Sequence, residues 1–335
     1  MSLRPTPLGW FRRGCGLAAL GFLASLPAGC GEPEAPAAKK DAPAAASPGE
    51  SVVTVDGSST VFRISRAAQE GFAKVDNDIE VTVGNSGTGG GFTKYLAGEI
   101  DIVDASRPAK ESEETKAKEQ GIEWVRFLVG YDGITVVVNP KNEFVKELSV
   151  QQLKSLWEPD SKFNTWRDLD VNWPDREIKL YSPDDKSGTF EFFTEVINGK
   201  AKAQRTGVQM SSDDNILVRG VGGDPDAIGY FGYAYFKANA DSLRAIPIKK
   251  SKDSPAIAAS PETILEKTYA PLSRPLFIYV KKSALRRPGA GKFVKYYLEN
   301  VADLAVKGGY VAPTAEDIAE NKKALEAAEA KGPGV

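Results

Sequence analysis

Three stretches of the chain pair hydroxyls and glycines with a following apolar run: VVTVDGSSTVF at 52–62, VTVGNSGTGGGF at 81–92 and IKLYSPDDKSGTFEFF at 178–193. The chemistry such residues offer is hydrogen-bond donation to an oxyanion. In the second stretch the alternation through Ile79, Val81 and Val83 predicts a strand and Phe92 to Ala97 a helix, which leaves Ser86, Gly87, Thr88, Gly89, Gly90 and Gly91 at the turn between them. A helix N-terminus at such a turn presents unpaired N–H groups and partial positive charge, glycine lets an oxyanion reach the backbone, and Ser and Thr add donors. One loop of this kind is equally a glycine-rich surface turn, and Ser59 and Thr60 equally cap their own helix. Recurrence of strand, hydroxyl loop and helix at three places points instead to a cradle. Beyond the second loop, Asp101, Asp104, Ser106 and Arg107 add acceptors, another hydroxyl and a guanidinium suited to a tetrahedral anion.

Nucleotide-binding patterns do not fit. GTGGGF has Phe92 where a dinucleotide fingerprint needs its third glycine, and no GK[ST] follows. A free oxyanion suits these loops better.

The 335 residues are 41% apolar and 26% charged, enough for two domains with cores. The formal charge is −2, and losing Arg4, Arg12 and Arg13 with an N-terminal segment takes it to −5, so nucleic acid is not the expected partner. The chain contains no histidine, which removes the commonest general base and zinc ligand and any Ser-His-Asp triad. No metal-binding spacing and no cofactor motif is evident.

Both cysteines lie near the N-terminus. Arg12 and Arg13 precede GCGLAALGFLASL, too short to span a bilayer, and Ala28 and Gly29 lead to Cys30. LPAGC resembles a lipoprotein cleavage box, with Cys30 acylated as the first mature residue. Pro27 is atypical for that box, and ordinary secretion is the other reading. Residues 30–50 are Ala/Pro-rich without aromatic or β-branched residues, and predict a disordered tether.

The elements that must position the loops follow in order. Strand Val52–Val55 precedes a helix carrying Ile64, Ala68 and Phe72; Pro108 to Gln120 reads as a charged surface helix. Strands are expected at Trp124–Leu128 and Ile134–Val138, with a crossover between domains near 129–139. Leu153, Leu156, Trp157, Trp166 and Trp173 read as packing residues. Ser211 to Asn215 look like a helix cap, AIGYFGYAYF at 227–236 a packed strand and turn, and Leu276–Val280 a strand returning the chain to the first domain. Phe293, Val294, Tyr297, Leu298, Val301 and Leu304 predict a last amphipathic helix before a solvated tail.

GSSTVF, NSGTGGGF, DASRP, SGTFEFF, AIGYFGYAYF and PLSRPLFIYV, in that order over residues 51–310, together resemble the periplasmic phosphate-binding proteins of ABC phosphate transporters, in particular a cyanobacterial-type branch. The resemblance implies a type II periplasmic binding protein fold, two α/β domains joined by two crossing strands with the ligand in the cleft. With the segments read from composition, the chain divides into a signal peptide at 1–29, a tether at 30–50, domain I at 51–135 and 270–320, domain II at 136–269, and a solvated tail at 321–335. The resemblance implies phosphate contacts from Ser59 and Thr60, from Ser86, Thr88 and Gly89, and from Ser187, Gly188 and Thr189; Ser106 and Arg107 of the DASRP loop are added as candidates on their own chemistry. Many relatives carry an Asp after the Ala-Ser of that loop and an Arg four residues before the Ser of SGT; here those places hold Arg107 and Pro183. The proton acceptor is then Asp184, Asp185 or Asp104. The implied protein is a monomeric, non-enzymatic receptor in the periplasm or cell envelope. It is anchored to the membrane through lipid on Cys30 and hands inorganic phosphate to an ABC permease. Its rivals are a receptor for sulfate, molybdate or tungstate and a phosphoesterase on the same fold.

Overall fold

The computed structural model describes residues 51–330, so the signal-peptide, tether and Cys30 expectations and the last five residues of the tail lie outside it. Strand β1 (Val52–Gly57) leads to helix α1 (Phe62–Phe72), whose Ile64, Ala68 and Phe72 recur every four residues and are buried. Then come β2 (Glu80–Val83), α2 (Thr88–Leu96), β3 (Ile102–Ala105) and α3 (Glu111–Glu119). β1 lies between β2 and β3, parallel to both. Parallel neighbours need crossovers, and α1 and α2 supply them. α2 begins four residues before the expected start at Phe92. Glycine's poor helix propensity hides the first turn from the sequence, while Gly87, at φ 82°, marks where the helix begins.

The two strands expected at 124–128 and 134–138 are one, β4 (Trp124–Val138). The GYDG between them reads as a turn by composition. In the fold its backbone is paired, and a Cβ on Gly133 would lie 2.3 Å from Ile264 Cδ1, so the glycine permits close packing. Next are β5 (Leu148–Ser149), α4 (Val150–Trp157), α5 (Trp166–Leu169), β6 (Lys179–Pro183), α6 (Gly188–Asn198), β7 (Gln209–Ser211) and α7 (Asp214–Gly223). β8 (Ala227–Gly232), α8 (Tyr233–Ala238), β9 (Arg244–Ala245), β10 (Ile248–Lys249), β11 (Ala256–Ile257) and α9 (Pro261–Leu265) follow. The chain returns through β12 (Ser273–Lys281) to α10 (Lys282–Leu285), α11 (Pro288–Glu299), α12 (Val301–Gly308) and α13 (Ala315–Ala330).

The main sheet runs β2-β1-β3-β12-β4-β8-β6-β7, with β9 also on β4, and β11-β10-β5 form a separate three-stranded sheet. β4 and β12 are the crossing strands. β4 pairs antiparallel with β12 through residues 124–133 and with β8 through 134–138. Each half of the sheet has apolar clusters on two faces. On one side of the crossing, one cluster joins α1, α11 and α12 to β1 and β12, and another joins Phe92, Tyr95, Phe277 and Tyr279. On the other, Trp157, Trp166, Phe193 and Tyr230 centre one cluster, and Leu217, Val221 and Phe231 the second. The expected solvated tail is corrected: α13 packs Ile318, Ala324 and Leu325 on the first core and buries Asn321 and Ala328. Asn321 donates to the Leu128 carbonyl at 2.7 Å and accepts from its amide at 3.0 Å, a contact that composition does not foretell.

Candidate functional site

At the first loop neither Ser59 nor Thr60 caps α1, whose N-cap position is Val61 without a side-chain cap; Ser58 instead braces the turn just ahead of the helix. Its Oγ accepts from the Thr60 amide at 3.2 Å and the Val61 amide at 3.4 Å. The other two hydroxyls are thereby left for different partners. Gly57 has φ 146°, and a Cβ there would lie 2.1 Å from the Asp104 carbonyl oxygen, so only glycine brings this loop against β3. The second loop is tied to the first by the Asp56 carboxylate, which accepts from the Gly57 amide at 2.7 Å and the Ser86 amide at 2.8 Å and pairs with Lys94. Burial pushes the Asp56 carboxyl up, but Lys94 and these amides outweigh it and hold it below the usual range. Thr88 Oγ1 lies 3.1 Å from Ser106 Oγ and accepts from the Ser106 amide at 3.2 Å, joining the second loop to DASRP. At the third loop Ser187 caps α6 by accepting from the Thr189 amide.

The group that links these loops is Arg274 on β12, which sequence reasoning passed over. Its Nη2 donates to Thr60 Oγ1 at 2.7 Å, to Asp132 Oδ2 at 3.2 Å and to the Gly188 carbonyl at 3.3 Å, and its guanidinium lies 3.8 Å over the Phe192 ring. First loop, crossing strands and third loop thus meet at one cation. Asp132 is 1% exposed and its Oδ1 has no partner. Burial pushes its carboxyl up, and Arg274 and Arg63 only partly offset that. The signal for Arg274 lay in the quoted PLSRP: a charge on a crossing strand needs a buried partner, and the Asp of GYDG is on the other crossing strand.

Ser59, Thr60, Gly87, Thr88, Ser106 and Gly188, all read from the sequence, surround one small cavity of about 10 Å³, together with Ser58, Glu191 and Arg274, which were not. That is room for about one water. A cavity of about 520 Å³ opens beside it, lined in part by Ser86, Gly89, Arg107 and Phe192, and another of about 410 Å³ by Asn85, Asp185 and Lys186. Ser187 and Thr189 line none of the three. Arg107 is committed elsewhere: both its terminal nitrogens donate to Glu113 at 2.8 Å, and it lies over Phe92. The Glu113 hydrogen bond holds the Arg107 guanidinium above its usual range. Of the three carboxylates weighed as proton acceptors, Asp184 accepts from the Lys186 amide, and Asp185 lines only the 410 Å³ cavity. Asp104 is fully buried, accepting from Ser65 Oγ at 2.7 Å; burial pushes its carboxyl to about 8. Among the described residues no group of His, Cys, Asp and Glu is placed to hold a metal ion.

The arrangement is that of a solute-binding cleft, with donors from two halves of a sheet gathered at the strands that cross between them. Comparison with known proteins agrees. The PBP superfamily domain matches residues 35–301. Protein SphX of Synechococcus elongatus is 41% identical over 268 residues, 79% of either chain. Phosphate-binding protein PstS of Staphylococcus saprophyticus is 40% identical over 281 residues, covering 83% of this chain and 85% of that one. The crystal structure of a possible phosphate binding protein from Planctomyces limnophilus superposes with a TM-score of 0.79 at 45% identity, covering 83% of this chain and 98% of that one. The chain belongs to the periplasmic phosphate-binding proteins of the PBP superfamily and has their type II fold.

Proposed function

We infer that the chain is an extracytoplasmic receptor that captures inorganic phosphate between the two halves of its sheet and delivers it to an ABC permease. The observation that carries this is Arg274, which joins the first loop at Thr60 to the third at Gly188 beside the Thr88–Ser106 pair. A guanidinium ringed by hydroxyls and helix-terminal amides is a seat for a tetrahedral anion. The seat as it stands has room for about one water, so a larger anion enters only when the halves part. Residues 51–135 with 270–320 form one moving body and 136–269 the other, with β4 and β12 as the hinge.

Binding, without turnover, is the activity, in keeping with a chain that has no histidine to serve as general base. The receptor acts as a monomer. LPAGC and the Ala/Pro-rich stretch after it support a lipid anchor on Cys30 and a flexible tether. Isothermal titration with phosphate, sulfate and molybdate tests the reading: one phosphate per chain, with the other anions far weaker, is expected, and no uptake of phosphate overturns it.

A further inference from the structure

Glu191 holds a position that the phosphate reading leaves unexplained. It lies in the first turn of α6 and lines the small cavity and both cavities beside it. Its Oε1 is 3.9 Å from the point that a Cβ on Gly87 would occupy, so it faces the second loop from the third. It is the only carboxylate among the residues around the small cavity. Its side chain makes no hydrogen bond or ion pair with the described residues. Of the nearby acids, Asp56 pairs with Lys94 and Glu113 with Arg107, while Asp132 and Asp104, which pair with Arg274 and Ser65 and keep one unpartnered oxygen each, do not line the small cavity.

We propose that Glu191 reads the proton of the bound anion and thereby sets the selectivity of the site; the proposal rests on the phosphate reading above. Monohydrogen phosphate has one protonated oxygen, and a carboxylate accepts its proton in a charge-assisted hydrogen bond. The other oxygens need donors, and Arg274, the hydroxyls and the loop amides are donors. Fully ionised sulfate has no proton to offer, so one of its oxygens meets the Glu191 carboxylate as two facing negative charges. The ligand class is therefore tetrahedral oxyanions that keep a proton near neutral pH, phosphate and arsenate, with sulfate excluded. Glu191 and the second loop come from opposite sides of the crossing strands, so the proton is read only when the halves are together.

The test is calorimetric titration of wild type and Glu191→Gln with phosphate, arsenate and sulfate at pH 7.5. The glutamine keeps size and removes the charge. The expected result is a fall of about 10- to 100-fold in the phosphate-to-sulfate affinity ratio, the range for a hydrogen bond to a charged group, with arsenate following phosphate. Both affinities come from one preparation, so a partly unfolded variant does not distort the ratio. An unchanged ratio in Glu191→Gln overturns the proposal while leaving phosphate binding intact. A wild type that takes up no phosphate overturns the receptor reading itself.

Discussion

Arg274 carries two loads that separate by mutation. In the proposed function it would bind the anion, and in the fold it compensates Asp132, which is buried on the neighbouring strand with one oxygen unpartnered. Arg274→Ala should weaken phosphate roughly 100-fold or more, the scale for truncating a buried charged donor. Stability should fall by about 3–5 kcal/mol, because Asp132 is left buried without its cation. Adding Asp132→Asn should recover most of that stability and none of the affinity, which urea unfolding and calorimetry distinguish. Asp104 provides a pH signature. Its folded-state pKa of about 8 lies above the ordinary carboxylate value of about 3.9, so the folded chain holds this proton more tightly than the unfolded chain. The stability contributed by its neutral form is complete below about pH 4 and is lost as pH rises through 8. Asp104→Asn still accepts from Ser65, and should flatten this loss and raise the thermal midpoint at pH 8.5 by a few degrees, about 2–4 °C per kcal/mol. Ser59, Thr60, Thr88, Ser106 and Gly188 were legible as cavity-lining positions from residue type, whereas Ser187 and Thr189, of the same types, line none of the three cavities. Arg274 was signalled only by the charge in PLSRP, and Glu191 not at all, since a Glu in the first turn of a helix acquires meaning only from what the fold sets opposite it.

Among elements, the strand-loop-helix units were legible at β1–α1, β2–α2 and β6–α6, because apolar alternation gives way to hydroxyls and glycine at each turn. What the sequence obscured was where elements begin and join. Glycines concealed the first turn of α2, and GYDG passed for a turn because the partner strand that makes it β-structure lies about 140 residues away, as in the Asp132–Arg274 pairing. The third loop also has a steric role in the site. A Cβ on Gly188 would lie 2.3 Å from Thr60 Oγ1 and 2.8 Å from the Thr60 nitrogen. The hydroxyl can turn aside but the backbone nitrogen cannot, so Gly188→Ala should hold the first and third loops apart. A phosphate affinity lower by about 10-fold or more is expected, matching an overpacking cost of about 1–3 kcal/mol. Calorimetry checks it, with a thermal scan to confirm that the fold survives.

At the scale of the molecule, two halves with separate apolar clusters are joined by a pair of crossing strands, and the loops of both meet where those strands carry Arg274 and Asp132. In the proposed closure the halves would move as bodies about these strands, with the cation at the hinge. The two-half architecture was expected because the length allows two domains and the family resemblance implies them. The docking of α13 was not, since its Ala-rich sequence has no strong apolar stripe and its contact depends on Asn321 finding Leu128. The most direct test of the account is a crystal structure of the protein grown with phosphate. The expected result is one phosphate between the first, second and third loops, within hydrogen-bond distance of Arg274 and at least one group from each half. Phosphate bound at Arg107 instead, or touching only one half, would contradict it.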